Sequence, residues 1–374
     1  MMKIEKVDLF LTSMKLVQPF RTHQETVTDR ESILVKVTDD EGHSGWGEVV
    51  AFSSPWYTEE TIETAWHMLT EFFIPTIIQG EWKSPQEVNG ALLHWKRNQM
   101  AKAGIEMAMW DLIAKRAGIS LAEYIGGVRK EVEAGVVVSM DSPEVMLSTI
   151  ENRIKEGYER IKVKIDPAND YQMLKVIRDA YPDIALLVDA NSAYTLKDVE
   201  RLKRLDSLDL LMIEQPLSAD DIVEHAELQK VLSTPVCLDE SIVSFQDARN
   251  AVKLGSCKVM SIKIGRVGGL ANAIDIHDLC EEHDIPVWCG GMLETGISRA
   301  FHIALASLLN FTIPGDLSAS SRYWEKDVII PEVVVENGKV KVPEGPGIGF
   351  EVDETYVKQI SKRKATFHAK KKDH

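Results

Sequence analysis

Cysteine is scarce in this 374-residue chain: Cys237, Cys257, Cys280 and Cys289 are scattered, with no Cys-x-x-Cys pair. That excludes a disulfide-built scaffold and a zinc knot, and it fits a reducing, cytoplasmic setting. Positive charge is also short. Lys and Arg number 43 against 58 Asp and Glu, a net charge of −15, which argues against nucleic acid or an anionic membrane as partner. No uninterrupted apolar run is long enough to span a bilayer, and the opening Met-Met-Lys-Ile-Glu-Lys-Val-Asp has no apolar signal core. What remains is an ordinary globular composition, 44% hydrophobic. The length suits one large domain with a smaller companion, or two to three domains. A small-molecule substrate and a homo-oligomeric assembly are the expected partners.

The strongest pattern lies in residues 162–263. Lys164, Asp189, Glu214, Asp239 and Lys263 each end a short apolar run, and successive members are 25, 25, 25 and 24 residues apart. A step of that size, with a helical pattern in each gap, is a repeated βα unit. Repeated βα units with fully apolar strands predict a parallel sheet. If it closes into a barrel, all strand tips meet on one face. Ser139 is in phase with the same rhythm, at the end of a first barrel strand over 134–140. Helices are predicted over 143–156, 170–180, 195–206, 219–231, 244–254 and 268–283. A seventh strand over 286–289 runs into Gly290-Gly291-Met292-Leu293-Glu294, a helix follows over 298–309, and a short eighth strand over 311–313 ends at Pro314-Gly315-Asp316.

The expected fold is therefore α/β: a modified (β/α) TIM-type barrel of seven to eight units over residues 131–324. Ahead of it, residues 1–130 read as an α+β capping domain. Strands over 3–11, 32–38 and 43–49 form an antiparallel meander, followed by helices over 58–80 (N-cap Thr58), 84–97 and 100–117. Two loops, 17–31 with Pro19-Phe20-Arg21 and 52–57 with Trp56-Tyr57, mix aromatic and polar groups and would suit lids over a pocket. Residues 328–342 read as a hairpin turning at Asn337-Gly338, returning to the meander, so that about 325–360 completes the capping domain. Residues 361–374 read as a flexible, solvated basic tail.

On that frame the charged tips have a chemical use. Asp189, Glu214 and Asp239 would place oxygens from three neighbouring strands around one point, a donor set for a divalent cation such as Mg²⁺, with Mn²⁺ as an alternative. Acids after strands also cap helices, but three in phase favour the ion. Lys162 and Lys164 alternate with Ile161, Val163 and Ile165, which turns both amines into the barrel. Lys263 ends the sixth strand, across the rim. Desolvation and a neighbouring cation, Arg266, would lower the pKa of Lys263 toward that of a base; an Arg266→Gln change would then move the pH–rate profile upward. Asn191 shares the face of Asp189. Amines on two sides of a metal-bound carboxylate suit removal or return of an α-proton.

The residues that carry this chemistry resemble the enolase superfamily, muconate-lactonising subgroup. The resemblance covers nearly the whole chain: Gly104-Ile105-Glu106-Met107-Ala108-Met109-Trp110-Asp111-Leu112, Lys162-Val163-Lys164, Asp189-Ala190-Asn191, Glu214-Gln215-Pro216, Asp239-Glu240-Ser241 and Lys263-Ile264-Gly265-Arg266. It implies metal binding by Asp189, Glu214 and Asp239, acid–base roles for Lys164 and Lys263, and support from Lys162. Members of that superfamily pair a Lys or His base with Mg²⁺. Gly290-Gly291-Met292-Leu293-Glu294-Thr295-Gly296 and Pro314-Gly315-Asp316-Leu317-Ser318 are similar to the branch holding o-succinylbenzoate synthases and N-acylamino-acid racemases. Dipeptide epimerases of the subgroup carry Asp-x-Asp at the eighth strand; here a single acid stands there. The resemblance thus implies dehydration of 2-succinyl-6-hydroxy-2,4-cyclohexadiene-1-carboxylate in menaquinone synthesis. N-acylamino-acid racemase and muconate cycloisomerase are alternatives, as is a binding protein that has lost catalysis. Ser139, Asn191, Glu240, Arg266, Gly291 and Met292 are the expected substrate-binding or supporting residues.

Overall fold

The computed structural model describes residues 1–21 and 25–370. Its larger sheet has seven parallel strands, in order along the sheet Val287–Cys289, Val259–Ile262, Val236–Leu238, Met212–Glu214, Ala185–Asp189, Arg160–Lys164 and Val136–Val138. Neighbours in space are neighbours in sequence, as successive βα units require. The strands are buried on both faces because helices such as Pro143–Lys155, Tyr171–Ala180, Phe245–Leu254 and Leu270–Glu282 cover the outside. Inside, Leu187, Met212, Cys237, Val259 and Trp288 form their own apolar cluster. This plug is the floor on which the charged tips stand.

The eighth unit is not a strand. Phe311 makes one parallel bridge to Val287, and Gly315 makes one to Ala134. Gly135 N–H donates to Gly315 O at 2.7 Å and Asp316 N–H to Cys289 O at 2.9 Å. The segment thus touches both sheet edges and closes the barrel without a ladder. Pro314 has no N–H to extend one.

The smaller sheet is antiparallel: Met2–Arg21, Thr26–Asp39 and Ser44–Val49. The expected loop over 17–31 is largely a continuation of the first two strands. After a register irregularity, Phe20 pairs with Val27 and Arg21 with Thr26; residues 22–24 lie outside the described residues. Alternating exposed polar positions on the second strand hid its pairing from a hydrophobicity reading. The helix expected over 58–80 begins later, at Ile62–Met68, with Thr61 rather than Thr58 as N-cap, and passes through a π turn at Leu69–Phe73.

The helix Gln99–Ala117 is buried along nearly its whole length, including Ile105, Met109 and Leu112. It lies directly on the third strand. A Cβ at Gly47 would come within 2.1 Å of Gly104 O, and one at Gly45 within 2.1 Å of Ala108 O, so glycine is what permits the contact. The long motif on this helix is structural. Glu106 accepts from Leu270 N–H (2.7 Å), Ala271 N–H (2.9 Å) and Trp110 Nε1 (2.6 Å). Asp111 accepts from Trp46 N–H and Ile348 N–H, each at 2.8 Å. One helix therefore ties the small sheet, a barrel helix and the C-terminal segment together.

Two expectations for that segment need correction. Asn337 and Gly338 do make a turn, both with positive φ (50° and 70°). But Lys339–Lys341 pairs antiparallel with Glu131–Glu133, just ahead of the first barrel strand, not with the meander. The expected flexible tail is instead an edge strand: Ser361–His368 pairs with the first strand, Lys6 facing His368 and Leu11 facing Arg363. Ala365 and Phe367 are half-buried while Lys362, Arg363, Lys364, Thr366 and His368 are exposed. Basic residues on the outer face masked a period-two strand. Residues 371–374 lie outside the described residues.

Candidate active site

The barrel register sets the tips side by side. Lys164 is opposite Asp189, and Asp189 opposite Glu214. Cys237 is opposite Glu214, so Asp239 stands two residues further up, beside Lys263 on the next strand. Alternation turns all of them inward above the apolar plug.

A cavity of about 340 Å³ opens here. It is lined by Lys162, Lys164, Asp189, Asn191, Glu240, Lys263, Gly291 and Met292, among others. Glu214, Asp239 and Arg266 stand behind that wall, fully buried, and reach it through the lysines. Lys162 Nζ lies 2.7 Å from Glu214 Oε2, 3.0 Å from Asp189 Oδ2 and 3.5 Å from Asp316 Oδ2. Lys164 Nζ lies 3.4 Å from Asp189 Oδ2 and donates to Asn191 Oδ1. Lys263 Nζ donates to Asp239 Oδ2 at 2.8 Å and to Tyr57 OH at 2.9 Å. Arg266 Nη1 donates to Asp239 Oδ1 and, at 2.8 Å, to Tyr57 OH. Asn191 Nδ2 donates to Glu240 Oε1 at 3.0 Å.

Ser139 is not among these residues. The first barrel strand ends at Val138, and beyond it Ser139 is exposed in a broader outer groove. The 25-residue step holds for it in sequence, but the chain leaves the sheet one residue too early. Gly135, just before that strand, and Val137 within it line the cavity instead.

Electrostatics follows from crowding. Burial opposes charge on Lys162, but Asp189, Glu214 and Asp316 outweigh it and hold its pKa well above the lysine range. Burial, with Asp189 next, pushes Glu214 well above the usual carboxylate range. The amine paired with it, Lys162, is shared with Asp189. Burial likewise pushes Asp239 up, but Arg266 and Lys263 more than reverse that. Burial, Asp239 and Asp189 raise Glu240 to about 7. The expected lowering of Lys263 is not found. Burial and Arg266 do lower it, but Asp239 and Tyr57 raise it more, and the ammonium is held.

The donor set fits a hard divalent cation. Asp189, Glu214 and Asp239 are buried carboxylates from adjacent strands. Glu214 Oε1 has no hydrogen-bond partner, and Oε2 meets Lys162 as an ion pair without hydrogen-bond alignment. A buried carboxylate left so is short of positive charge. Another group, His277, Asp278 and Glu281, brings its ligand atoms within 4.8 Å of one another. It does not fit. Asn310 N–H donates to His277 Nε2 at 3.0 Å, so Nδ1 carries the proton toward Asp278 at 2.7 Å and has no lone pair to give.

Sequence reasoning missed several wall residues. Tyr57 bonds both Lys263 and Arg266, and Phe20, Phe52, Trp56 and Tyr323 complete an aromatic roof. For all but Tyr323 the signal was the two aromatic loops, expected as lids over a pocket. Asp316 pairs with Arg160 at 2.7 Å as well as Lys162; its signal was the lone acid after Pro314-Gly315. Behind Met292 and Leu293, Glu294 meets Arg299 at 2.9 Å, and Arg30 Nε donates to Leu293 O at 2.9 Å.

Comparison with known proteins bears on the family and the fold. Residues 6–126 match the mandelate racemase / muconate lactonizing enzyme N-terminal domain, and residues 145–356 match the enolase C-terminal domain-like family. The chain is 55% identical over 359 residues to the o-succinylbenzoate synthase of Bacillus subtilis, covering 96% of this chain and 97% of that protein. It is 43% identical over 361 residues to the N-succinylamino acid racemase of Thermus thermophilus, covering 96% and 98%. A solved enolase superfamily member from Listeria innocua superposes with a TM-score of 0.97 at 38% identity, covering 99% of this chain and 100% of that one. The chain belongs to the mandelate racemase / muconate lactonizing enzyme family of the enolase superfamily.

Proposed function

We propose that the chamber dehydrates 2-succinyl-6-hydroxy-2,4-cyclohexadiene-1-carboxylate to o-succinylbenzoate, a step of menaquinone synthesis. The observation that carries the reading is the placement of Lys164 and Lys263 on one cavity, from the second and sixth barrel strands, with three buried carboxylates between them. Identity to o-succinylbenzoate synthases supports the substrate. Asp189, Glu214 and Asp239 would hold Mg²⁺, with Mn²⁺ as an alternative. Bound there, the cation supplies stabilisation of the negative charge that grows on the substrate carboxylate as the α-proton leaves.

The chain's own residues do the rest. Lys164, as a free amine, takes the α-proton with its lone pair. The C–H electron pair becomes the new ring double bond as the C–O bond on the neighbouring carbon breaks. The Lys164 ammonium returns its proton to the departing hydroxyl on the same face, so water leaves and the ring is aromatic. Lys263, held as an ammonium by Asp239 and Tyr57, faces the developing anion from the other side. Lys162 holds Asp189 and Glu214 in place. The aromatic roof excludes water around the ring.

A second reading, racemisation of N-succinylamino acids, is favoured by the same pair of amines. An amine on one face can take the proton while an ammonium on the other delivers one to the opposite side. The racemase relative supports it. Incubation with the cyclohexadiene acid, N-succinylphenylglycine and muconate, each with Mg²⁺ and with a chelator, tests the proposal. Formation of o-succinylbenzoate, lost on chelation, is expected. Turnover of muconate alone would overturn it.

A further inference from the structure

The reacting chamber opens sideways into a larger groove of about 1230 Å³, and the two share Phe20, Val137, Lys164, Asn191 and Tyr323. Arg322 lies in this groove, at the end of a short 3₁₀ turn, Ser320–Arg322, one residue before the chamber-lining Tyr323. Its Nη2 donates to Val137 O at 3.0 Å. Val137 is opposite Lys162 in the barrel register. That single bond fixes the guanidinium at the rim of the chamber. Among the described residues it has no carboxylate partner, whereas Arg153 in the same groove pairs with Glu156 at 2.6 Å. The acids of the groove are occupied elsewhere: Asp141 accepts from Ser142 N–H at 2.7 Å, and Asp166 from Ala168 N–H at 2.7 Å. The turn itself is held, since Val17 N–H donates to Tyr323 O at 2.9 Å.

We infer that Arg322 is the recognition group for a second carboxylate, the distal one of a dicarboxylate whose first carboxylate sits among the barrel lysines. A half-buried, unpaired guanidinium with a free edge suits bidentate binding of a carboxylate. The inference rests on the proposed reaction in one respect only: a succinyl chain ends in such a group. Phe20 and Val137 line both spaces and would flank the methylene chain between the two charges. The competing binders are the chamber hydroxyls of Ser192, Ser218 and Ser318, which are neutral and would take an amide nearly as well as a carboxylate.

Calorimetric binding in the presence of Mg²⁺ tests this without depending on turnover. Two ligand pairs are used: o-succinylbenzoate and its terminal amide, and N-succinylphenylglycine and its terminal amide. The wild type is expected to favour each terminal carboxylate by about 10-fold or more, the scale of a charge-assisted hydrogen bond. Arg322→Gln should bring the ratio close to one, and Arg322→Lys should restore part of it, with thermal unfolding showing that both variants fold. A wild type without the preference, a wild type that binds neither terminal carboxylate, or an Arg322→Gln protein that keeps the full ratio would overturn the assignment. Absence of o-succinylbenzoate from the turnover assay, with the ratio still governed by Arg322, would instead reject the proposed reaction and leave the carboxylate subsite standing.

Discussion

At the scale of single residues, the site is a set of buried charges that share too few partners. Lys162 serves both Asp189 and Glu214. Removing one member of such a group strands the others, at about 3–5 kcal/mol. Lys162→Met should therefore lower the free energy of unfolding by that order in chelator, and Mg²⁺ should recover more stability in the variant than in the wild type. Denaturant titrations with and without Mg²⁺ measure both; an equal response to the ion in the two proteins would speak against the shared site. Lys164→Ala and Lys263→Ala should each reduce dehydration by roughly 10²–10⁴-fold, the usual contribution of one acid–base group, with circular dichroism unchanged. The strand-tip residues were legible because a barrel gives each tip the same sequence interval. Asp316 and Tyr57 were not, because they arrive from an eighth segment without a ladder and from a loop after the small sheet; Arg160, at the start of the second barrel strand, enters the site only through its pairing with Asp316. The state of Lys263 was misjudged for a related reason: its sequence neighbour Arg266 was visible, but the opposing Asp239 contact is a matter of register.

At the scale of elements, carboxylates that cap helices carry much of the tertiary order. Glu60 accepts from Met100 N–H at 2.8 Å and Ala101 N–H at 3.1 Å, at the start of the long central helix. Glu106 does the same for the helix Leu270–Glu282. Burial raises both to about 7, against the donors that lower them. The sign is that of a carboxyl whose folded pKa exceeds its unfolded value near 4.5. Its contribution is most favourable below that value, declines as pH rises between 4.5 and about 7, and is constant above. Stability measured by denaturant should fall over that window, and the fall should be shallower in Glu106→Gln; an equal slope in both would remove Glu106 from the account. Glu106→Ala should cost about 1–3 kcal/mol, the penalty for unpaired buried N–H groups. The C-terminal strand makes a different prediction. Truncation after Ile360 uncovers the edge of the first strand, and should lower the thermal midpoint and promote association on light scattering. The hydrophobic pattern exposed the helices and barrel strands, since both bury a whole face. It missed that edge strand and the hairpin arm near Phe20, where only one side of each is covered.

At the scale of the molecule, two sheets are held in one frame by a helix that touches the small sheet, the barrel and the C-terminal segment. The small sheet and the loop after it supply most of the aromatic roof, and the barrel supplies the charged wall of the cavity beneath it. No helix among the described residues is long and apolar enough to cross a membrane. The central claim is that Lys164 and Lys263 address opposite faces of one bound carbon acid. Proton exchange in D₂O, followed by NMR on the separate enantiomers of N-succinylphenylglycine with Mg²⁺, tests it most directly. The account predicts that Lys263→Ala still exchanges the α-proton of the enantiomer that faces Lys164, that Lys164→Ala, left with the ammonium of Lys263, exchanges neither, and that neither variant racemises. Both variants exchanging the same enantiomer, or either one racemising at the wild-type rate, would contradict it.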